Sequence, residues 1–277
     1  MTINVPRRAL LANGVLAIGA IATLLPFLWI FVTSLKFLRD IRVGGLSFEP
    51  TLVNYRRLFS EETQFLSFIG NSLIVAIIAT TLAIVTGVPA AYSLARFRWP
   101  GVVTAGLLGW ILVVHAIPPV TLSAPLFVLV RNLGLYDRLL GLALVHVVLG
   151  APLVVWLMRG FFADLPREIE EASRVDGASR FQTFMQVALP LVGPGVATAG
   201  MLAFMVSWNE FLFAVTLTAS TDSQTIPVGL SLQAQEYVVR YGLMSAGAVV
   251  ATVPAILFVA FGQRRLIQGL TLGALKG

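Results

Sequence analysis

Hydrophobic positions in this chain fall in long unbroken runs, not in the alternating or three-to-four spacing of half-buried soluble elements. Residues 9–35, 63–95, 99–130, 139–158, 181–209 and 241–263 contain no Asp, Glu, Lys or Arg. Each run can supply the roughly 20 apolar residues that cross a bilayer core of about 30 Å. The fifth is expected to begin later and to continue past Glu210, so spans are predicted over 10–35, 70–95, 102–128, 140–160, 194–217 and 241–263. One such run can be a buried helix of a large soluble core. Six in succession, with little polar sequence between them, point to a membrane. Backbone amides in lipid must be satisfied internally, so helices are expected, and the ten-residue alternation of a membrane β-barrel is missing. The predicted fold class is an all-α integral membrane protein with six transmembrane helices, a single domain over 1–277.

Composition agrees. Of 277 residues, 57% are hydrophobic and 12% charged, about half the charged share of a soluble domain, and the mean hydropathy is +0.89. There is no cysteine, which excludes disulfides and thiolate metal sites. A net charge of +6 would suggest nucleic acid in a soluble chain, but here the placement of the basic residues matters more. Arg7 and Arg8 precede the first span without a clear small-residue cleavage site after them, which reads as an uncleaved anchor. With the N-terminus in the cytosol, eleven Lys and Arg lie inside and eight outside, the direction that the positive-inside rule requires. Both termini are then cytoplasmic.

The longest internal connection, residues 164–190, is polar and patterned. Asp164 and Pro166 are helix-start signals. Glu168, Glu170 and Glu171 crowd the early turns, where the helix dipole favours negative charge, and Glu170 and Arg174 have the spacing of an i,i+4 ion pair. Gly177 suits a left-handed helix end. A second helical stretch follows, with Phe181, Phe184, Met185 and Ala188 on one face. Two short helices at the cytosolic surface are therefore predicted. The residues alone leave two roles open: an amphipathic connector resting on headgroups, or a docking element presenting Ala172, Ser173, Gly177 and Ala178 to a partner.

The run Glu171-Ala172-Ser173, three residues, Gly177, nine residues, Val187-x-Leu189-Pro190 resembles the EAA signature of binding-protein-dependent ABC importer permeases. It departs from the family pattern at Ser173, where the family has Ala, and at Val187, where it has Ile. The extended form, Glu170 to Ala172 and Val175-Asp176-Gly177-Ala178, is similar to the carbohydrate branch. Trp208-Asn209-Glu210-Phe211 in the fifth span resembles many carbohydrate permeases, and the tail Gly269 to Gly277 resembles that of the maltose-permease type of second subunit. The resemblance implies a sugar importer, for disaccharides or oligosaccharides, in the bacterial inner membrane. It implies a coupling-helix loop between helices 4 and 5, with Glu170, Glu171, Ala172, Ser173, Asp176, Gly177, Leu189 and Pro190 as the ATPase-coupling set. The implied partners are a second homologous permease, two cytosolic ATPases and an extracytoplasmic solute-binding protein. By the same analogy, the outer loop 218–240 meets the binding protein and the C-terminal tail reaches the ATPases.

The chain itself has only two lysines, Lys36 and Lys276, and neither stands in a Gly-Lys-Ser/Thr setting. A phosphate loop needs that lysine and hydroxyl, so no catalytic residue and no bound cofactor are expected here. ATP and Mg belong on the partner ATPases. Glu210 inside a span is costly. Trp208, Asn209 and Glu210 are therefore expected to line the translocation path or its gate, with interhelical hydrogen bonding as the other reading. His115 and His146 lack an acidic neighbour at metal-ligand spacing and are read as helix–helix contacts. The alternative class is an ion-gradient-driven secondary transporter or a channel subunit. Such proteins tend to show inverted repeats and several midplane ionisable groups, whereas here Glu210 stands alone.

Overall fold

The computed structural model describes residues 7–45, 47–234 and 239–274. In chain order its helices are α1 (Arg7–Ser34), α2 (Leu38–Val43), α3 (Val53–Leu58), α4 (Phe65–Arg96), α5 (Gly101–Ala116), α6 (Pro119–Asn132), α7 (Leu139–Asp164) and α8 (Arg167–Val175). There follow α9 (Arg180–Gln182), a π-helical stretch over Thr183–Ala188, α10 (Leu189–Leu191), α11 (Gly193–Trp208), α12 (Leu212–Leu217), α13 (Ile226–Ser231) and α14 (Tyr241–Ala274). Among the described residues there is no strand, only an isolated bridge between Ala234 and Val239. The all-α expectation holds.

Among the described residues, four stretches are long and apolar enough to cross a bilayer: Asn13–Ser34, Phe65–Arg96, Leu139–Asp164 and Tyr241–Phe258. At 1.5 Å per residue, α4 is about 48 Å long, well beyond the roughly 30 Å of hydrocarbon. A fifth candidate is the pair Arg180–Leu191 and Gly193–Trp208, bent by 76°. Two of the expected spans are thus interrupted. The one over 102–128 is divided between α5 and α6 at Ile117–Pro118, where Pro118 and Pro119 lack the N–H that would continue the ladder. The one over 194–217 is divided between α11 and α12 at residues 209–211. Prolines 26, 89, 125, 152 and 254 sit inside helices, which bilayer helices tolerate.

The chain forms two compact units. The first comprises Met1–Phe65 with Gly229–Val253, and the second Leu66–Val228 with Pro254–Gly277. In the first, Val15, Leu16, Ile18 and Ile21 are all more than 60% exposed and point all round α1, an apolar surface that needs lipid or another subunit. Lys36 is buried there, its Nζ donating to the Gly45 carbonyl at 2.7 Å and lying over the rings of Phe48 and Trp29 at 4.8 and 5.5 Å. Asn54 donates to the Ser34 and Lys36 carbonyls, which ties α3 back to the end of α1.

The second unit holds two apolar clusters. One joins Val88 and Ala91 of α4 with Met158 and Phe162 of α7, Phe184, and Ala199 and Ala203 of α11. The other joins Val75, Val130, Leu142, Val145, Phe213 and Leu217. Helices in lipid gain little from the hydrophobic effect against each other, so close approach through small residues matters. A Cβ on Gly87 would lie 2.9 Å from the Val154 side chain, and only Gly allows α4 and α7 this contact.

Candidate functional site

Leu165 and Pro166 are extended and bring α7 to an end. α8 then starts at Arg167 with Glu168 and Glu170 in its first turn, and with no side-chain cap. The helix closes as its sequence predicts. Gly177 adopts φ +91°, the Gly177 N–H donates to Arg174 O, and the Ala178 N–H donates to Ser173 O. This pair of bonds is the Schellman closure. Ser179 then opens α9 through a reciprocal capping box with Gln182, a signal legible in the Ser-x-x-Gln spacing.

The expected Glu170–Arg174 ion pair is not formed. Arg174 Nε reaches only the Glu170 backbone carbonyl, at 3.4 Å. The Glu170 carboxylate instead accepts from Arg96 Nε at 2.7 Å and from the Tyr92 hydroxyl at 2.8 Å. The Arg96 and Glu170 side chains are 8% and 6% exposed. Arg96 also donates to the Leu165 carbonyl at 2.7 Å. The physical reason is solvation: a buried guanidinium needs a carboxylate, whereas the exposed Arg174 is served by water. Tyr92 in turn packs against Phe162 and Phe184 at ring-centroid distances of 5.2 and 4.8 Å. The end of α4, the start of α8 and the π-helical stretch thus meet at one polar latch over an aromatic cluster.

The other residues expected at this loop are placed as follows. Glu171, Ala172, Asp176 and Gly177 are exposed. Ser173 is half-buried, donates to Glu170 O, and shares a 3.0 Å hydroxyl contact with Thr183. Leu189 is half-buried and Pro190 exposed in α10. Residues 183–188 are π-helical instead of a regular amphipathic turn, which changes the face expected from 3.6-residue spacing. Phe184 and Ala188 are buried, together with Thr183, while Phe181 and Met185 are exposed.

A second constellation surrounds the break between α11 and α12. Trp208 is buried and stacks on Phe204 at 5.7 Å. Asn209 is exposed and donates to the Met205 carbonyl. Glu210 accepts from the Phe213 and Ala214 N–H groups at 2.9 and 3.0 Å, satisfying the first amides of α12. Its Oε2 also meets His146 Nε2 at 3.1 Å, and His146 Nδ1 meets the Ser207 hydroxyl at 2.7 Å. An ionised carboxylate can only accept, so Nε2 donates to Glu210, and in the neutral imidazole Nδ1 is then the acceptor for the Ser207 hydroxyl. His146 therefore has an acidic partner, but one 64 positions away. The side chain of His115 lies outside the described residues, as do residues 275–277 of the tail.

A third cluster closes the loop between α6 and α7 onto the segment after α12. Asp137 takes φ +57°, and its carboxylate accepts from the Ala219 and Ser220 N–H groups and from the Ser223 hydroxyl. Burial pushes this carboxyl upward, but the hydrogen bonds from Ser220, Ser223 and Ala219 outweigh that and hold it at about 2 against an ordinary 3.8. Asn71 donates to the Thr221 and Gln224 carbonyls from the neighbouring helix. Among the described residues no group of three His, Asp or Glu is arranged to hold a metal.

Residues 83–271 match the family described as "Binding-protein-dependent transport system inner membrane component". Over 92% of its length the chain is 38% identical to the trehalose transport system permease protein SugB of Mycobacterium tuberculosis, covering 93% of that protein. It is 32% identical to the trehalose/maltose transport system permease protein MalG of Thermococcus litoralis, over 99% of both. Among solved structures, a chain of a bacterial ABC transporter involved in the import of the acidic polysaccharide alginate superposes with a TM-score of 0.77. That match has 23% identity and covers 95% of this chain and 98% of the other.

Proposed function

The chain belongs to the family of binding-protein-dependent transport system inner membrane components and is a permease subunit of an ABC importer; we propose that its cargo is a sugar of disaccharide or oligosaccharide size. The observation that carries this reading is full-length likeness to permeases named for trehalose and maltose. The protein is a multi-pass inner-membrane component. It crosses the bilayer six times with both termini in the cytosol, counting the interrupted segments α5–α6 and α11–α12 as one span each. It forms half of the translocation pathway and pairs with a second, homologous permease. Two cytosolic ATPases supply ATP and Mg, and an extracytoplasmic binding protein delivers the solute. The permease itself is not catalytic.

Coupling runs through residues 164–190. The exposed face of α8, with Glu171 and Ala172, and Gly177 just past its end, docks on an ATPase. Closure of the ATPases moves α8, and the buried Arg96–Glu170 pair carries that motion into the end of α4. A link of this kind lets a rigid-body shift at one surface repack a bundle between inward-open and outward-open states. At the break between α11 and α12, Asn209 contributes the exposed polar group of the path or gate. Glu210 and Trp208 hold the break in shape.

Affinity capture of the chain from its native membrane, followed by mass spectrometry, tests the reading. A second permease, an ATPase and a binding protein are expected together, and the binding protein then selects its sugar in a thermal-shift screen. Capture of this chain alone, with proton- or sodium-driven uptake that persists without ATP, overturns the importer and supports the ion-gradient alternative.

A further inference from the structure

The side chain of His146, in α7, is only 1% exposed, yet it takes no part in the docking face or in the Arg96–Glu170 latch. An imidazole is a costly way to fill a core, because its ring nitrogens must be hydrogen-bonded to be buried. A leucine carries no such requirement. Both nitrogens of His146 are used, and on opposite sides of one break. Nδ1 meets the Ser207 hydroxyl, in the last turn of α11, at 2.7 Å, and Nε2 meets Glu210 at 3.1 Å. Glu210 in turn holds the Phe213 and Ala214 amides that open α12. One side chain of α7 therefore reaches both helices that the break separates.

α7 is also the helix that runs into the docking loop. Only the two extended residues Leu165 and Pro166 separate it from α8. His146 and Asp164 are about 27 Å apart along the axis of α7, at 1.5 Å per residue. Between them α7 and α11 approach closely through glycines. A Cβ on Gly150 would lie 3.6 Å from the Ala203 side chain, and one on Gly195 would lie 2.7 Å from the ring of Phe161. The far end of α12 is tied to the residues just before α7. The Asp137 N–H donates to the Leu217 carbonyl at 3.0 Å, and the Asp137 carboxylate takes the Ala219 and Ser220 amides. α12 is thus fastened beside α7 at both of its ends, and α11 is fastened along its length.

We propose that His146 is a positioning residue of the translocation path. It fastens the break to α7, so that a displacement of α8 reaches Asn209 as movement of the path lining. In this role His146 touches no solute and acts through Ser207 and Glu210. Hydrogen bonds to a carboxylate are about twice as strong as neutral ones, and burial strengthens them further. Without the imidazole, α7 would shift while the break relaxed in place, because α11 and α12 are not continuous across residues 209–211. The inference rests on the proposed place of Asn209 in the path.

The chain has no cysteine, so N209C gives it a single thiol at the exposed position of the break. The captured complex, with its binding protein, is placed in nanodiscs and treated with a water-soluble maleimide. Mass spectrometry of the peptide reads the labelling rate, without nucleotide and after trapping with Mg-ATP and vanadate. With His146 in place, the two rates are expected to differ at least about fivefold. In H146L, counted over complexes that have trapped nucleotide, the ratio is expected to fall below about 1.5. H146Q carries an amide to the position of Nε2, donates to Glu210, and is expected to keep at least about half of the response. H146N ends at the position of Nδ1, does not reach Glu210, and is expected to behave as H146L. It carries the test should H146L fail to assemble. A full response in H146L or H146N, or an H146Q no better than H146L, overturns the proposal. So does an assembled H146L complex that traps no nucleotide, which would place His146 in ATPase closure. No response with His146 in place would remove Asn209 from the path, and this inference with it. The importer reading would still stand on the capture of its subunits.

Discussion

Replacing Glu170 by Ala removes the only carboxylate that the buried Arg96 guanidinium has among the described residues. Arg96 keeps its bond to the Leu165 carbonyl, but its charge is left uncompensated, and the Tyr92 hydroxyl loses its acceptor. Breaking a buried pair by deleting one partner costs about 3–5 kcal/mol, most of it the desolvation of the survivor. At 1.4 kcal/mol per tenfold, that is roughly two to three and a half orders of magnitude in a local opening equilibrium. α8 has nine residues, fewer than the roughly 12–15 that an isolated helix needs to hold itself in water. Its protection against hydrogen exchange must therefore come from tertiary contacts, of which the latch is the buried charged one and the Ser173–Thr183 contact a second. Amide exchange within residues 167–175 of E170A is expected to accelerate by at least about 100-fold, with the middle of α7 unchanged. E170Q keeps an acceptor without the charge and is expected to fall between. R96M/E170M, which removes both charges, is expected to recover most of the protection. Unaltered exchange in α8, or an R96M/E170M variant as labile as E170A, would show that the buried charge does not hold this helix.

Three further outcomes follow from the geometry. Gly177→Ala is expected to cost about 1–2 kcal/mol, because φ +91° is strained for any side chain although nothing lies within 4 Å of the added carbon. Faster exchange at Gly177 and Ala178 reads this, with Gly177→Asn expected to be milder. Glu210→Ala leaves two amides of α12 and His146 without their acceptor and is expected to destabilise the purified chain by about 3 kcal/mol. An unchanged thermal midpoint in detergent would refute that. Asp137 is depressed to about 2 from 3.8, so its contribution is complete above pH 4 and is lost as the pH falls through 2. Protection of the Ala219 and Ser220 amides, corrected for intrinsic exchange, is expected to drop across that window in the native chain. It is expected to be low at every pH in D137A.

What the sequence made legible is whatever depends on neighbours along the chain. Long uncharged runs predict membrane helices because the bilayer imposes one length on all of them, and Gly177 predicts a left-handed helix end because only the local backbone matters there. The same local reasoning misplaces partners. Arg174 lies four residues after Glu170 and looks like its counter-ion, yet Arg96, 74 positions earlier, takes the carboxylate. His146 looked unpartnered for the same reason, since Glu210 is 64 positions away. In water, spacing along a helix is a fair guide to ion pairing, because an exposed charge that misses its partner is solvated at little cost. In a protein core or a bilayer it is not, because a buried charge must find a counter-charge wherever the fold supplies one. Tyr92 and Arg96 stand one turn apart on the same face of α4, near its end. That pairing is the one local trace of the latch. A basic and a phenolic group at i and i+4 near the end of a membrane helix call for a carboxylate from another segment, and Glu170 supplies it.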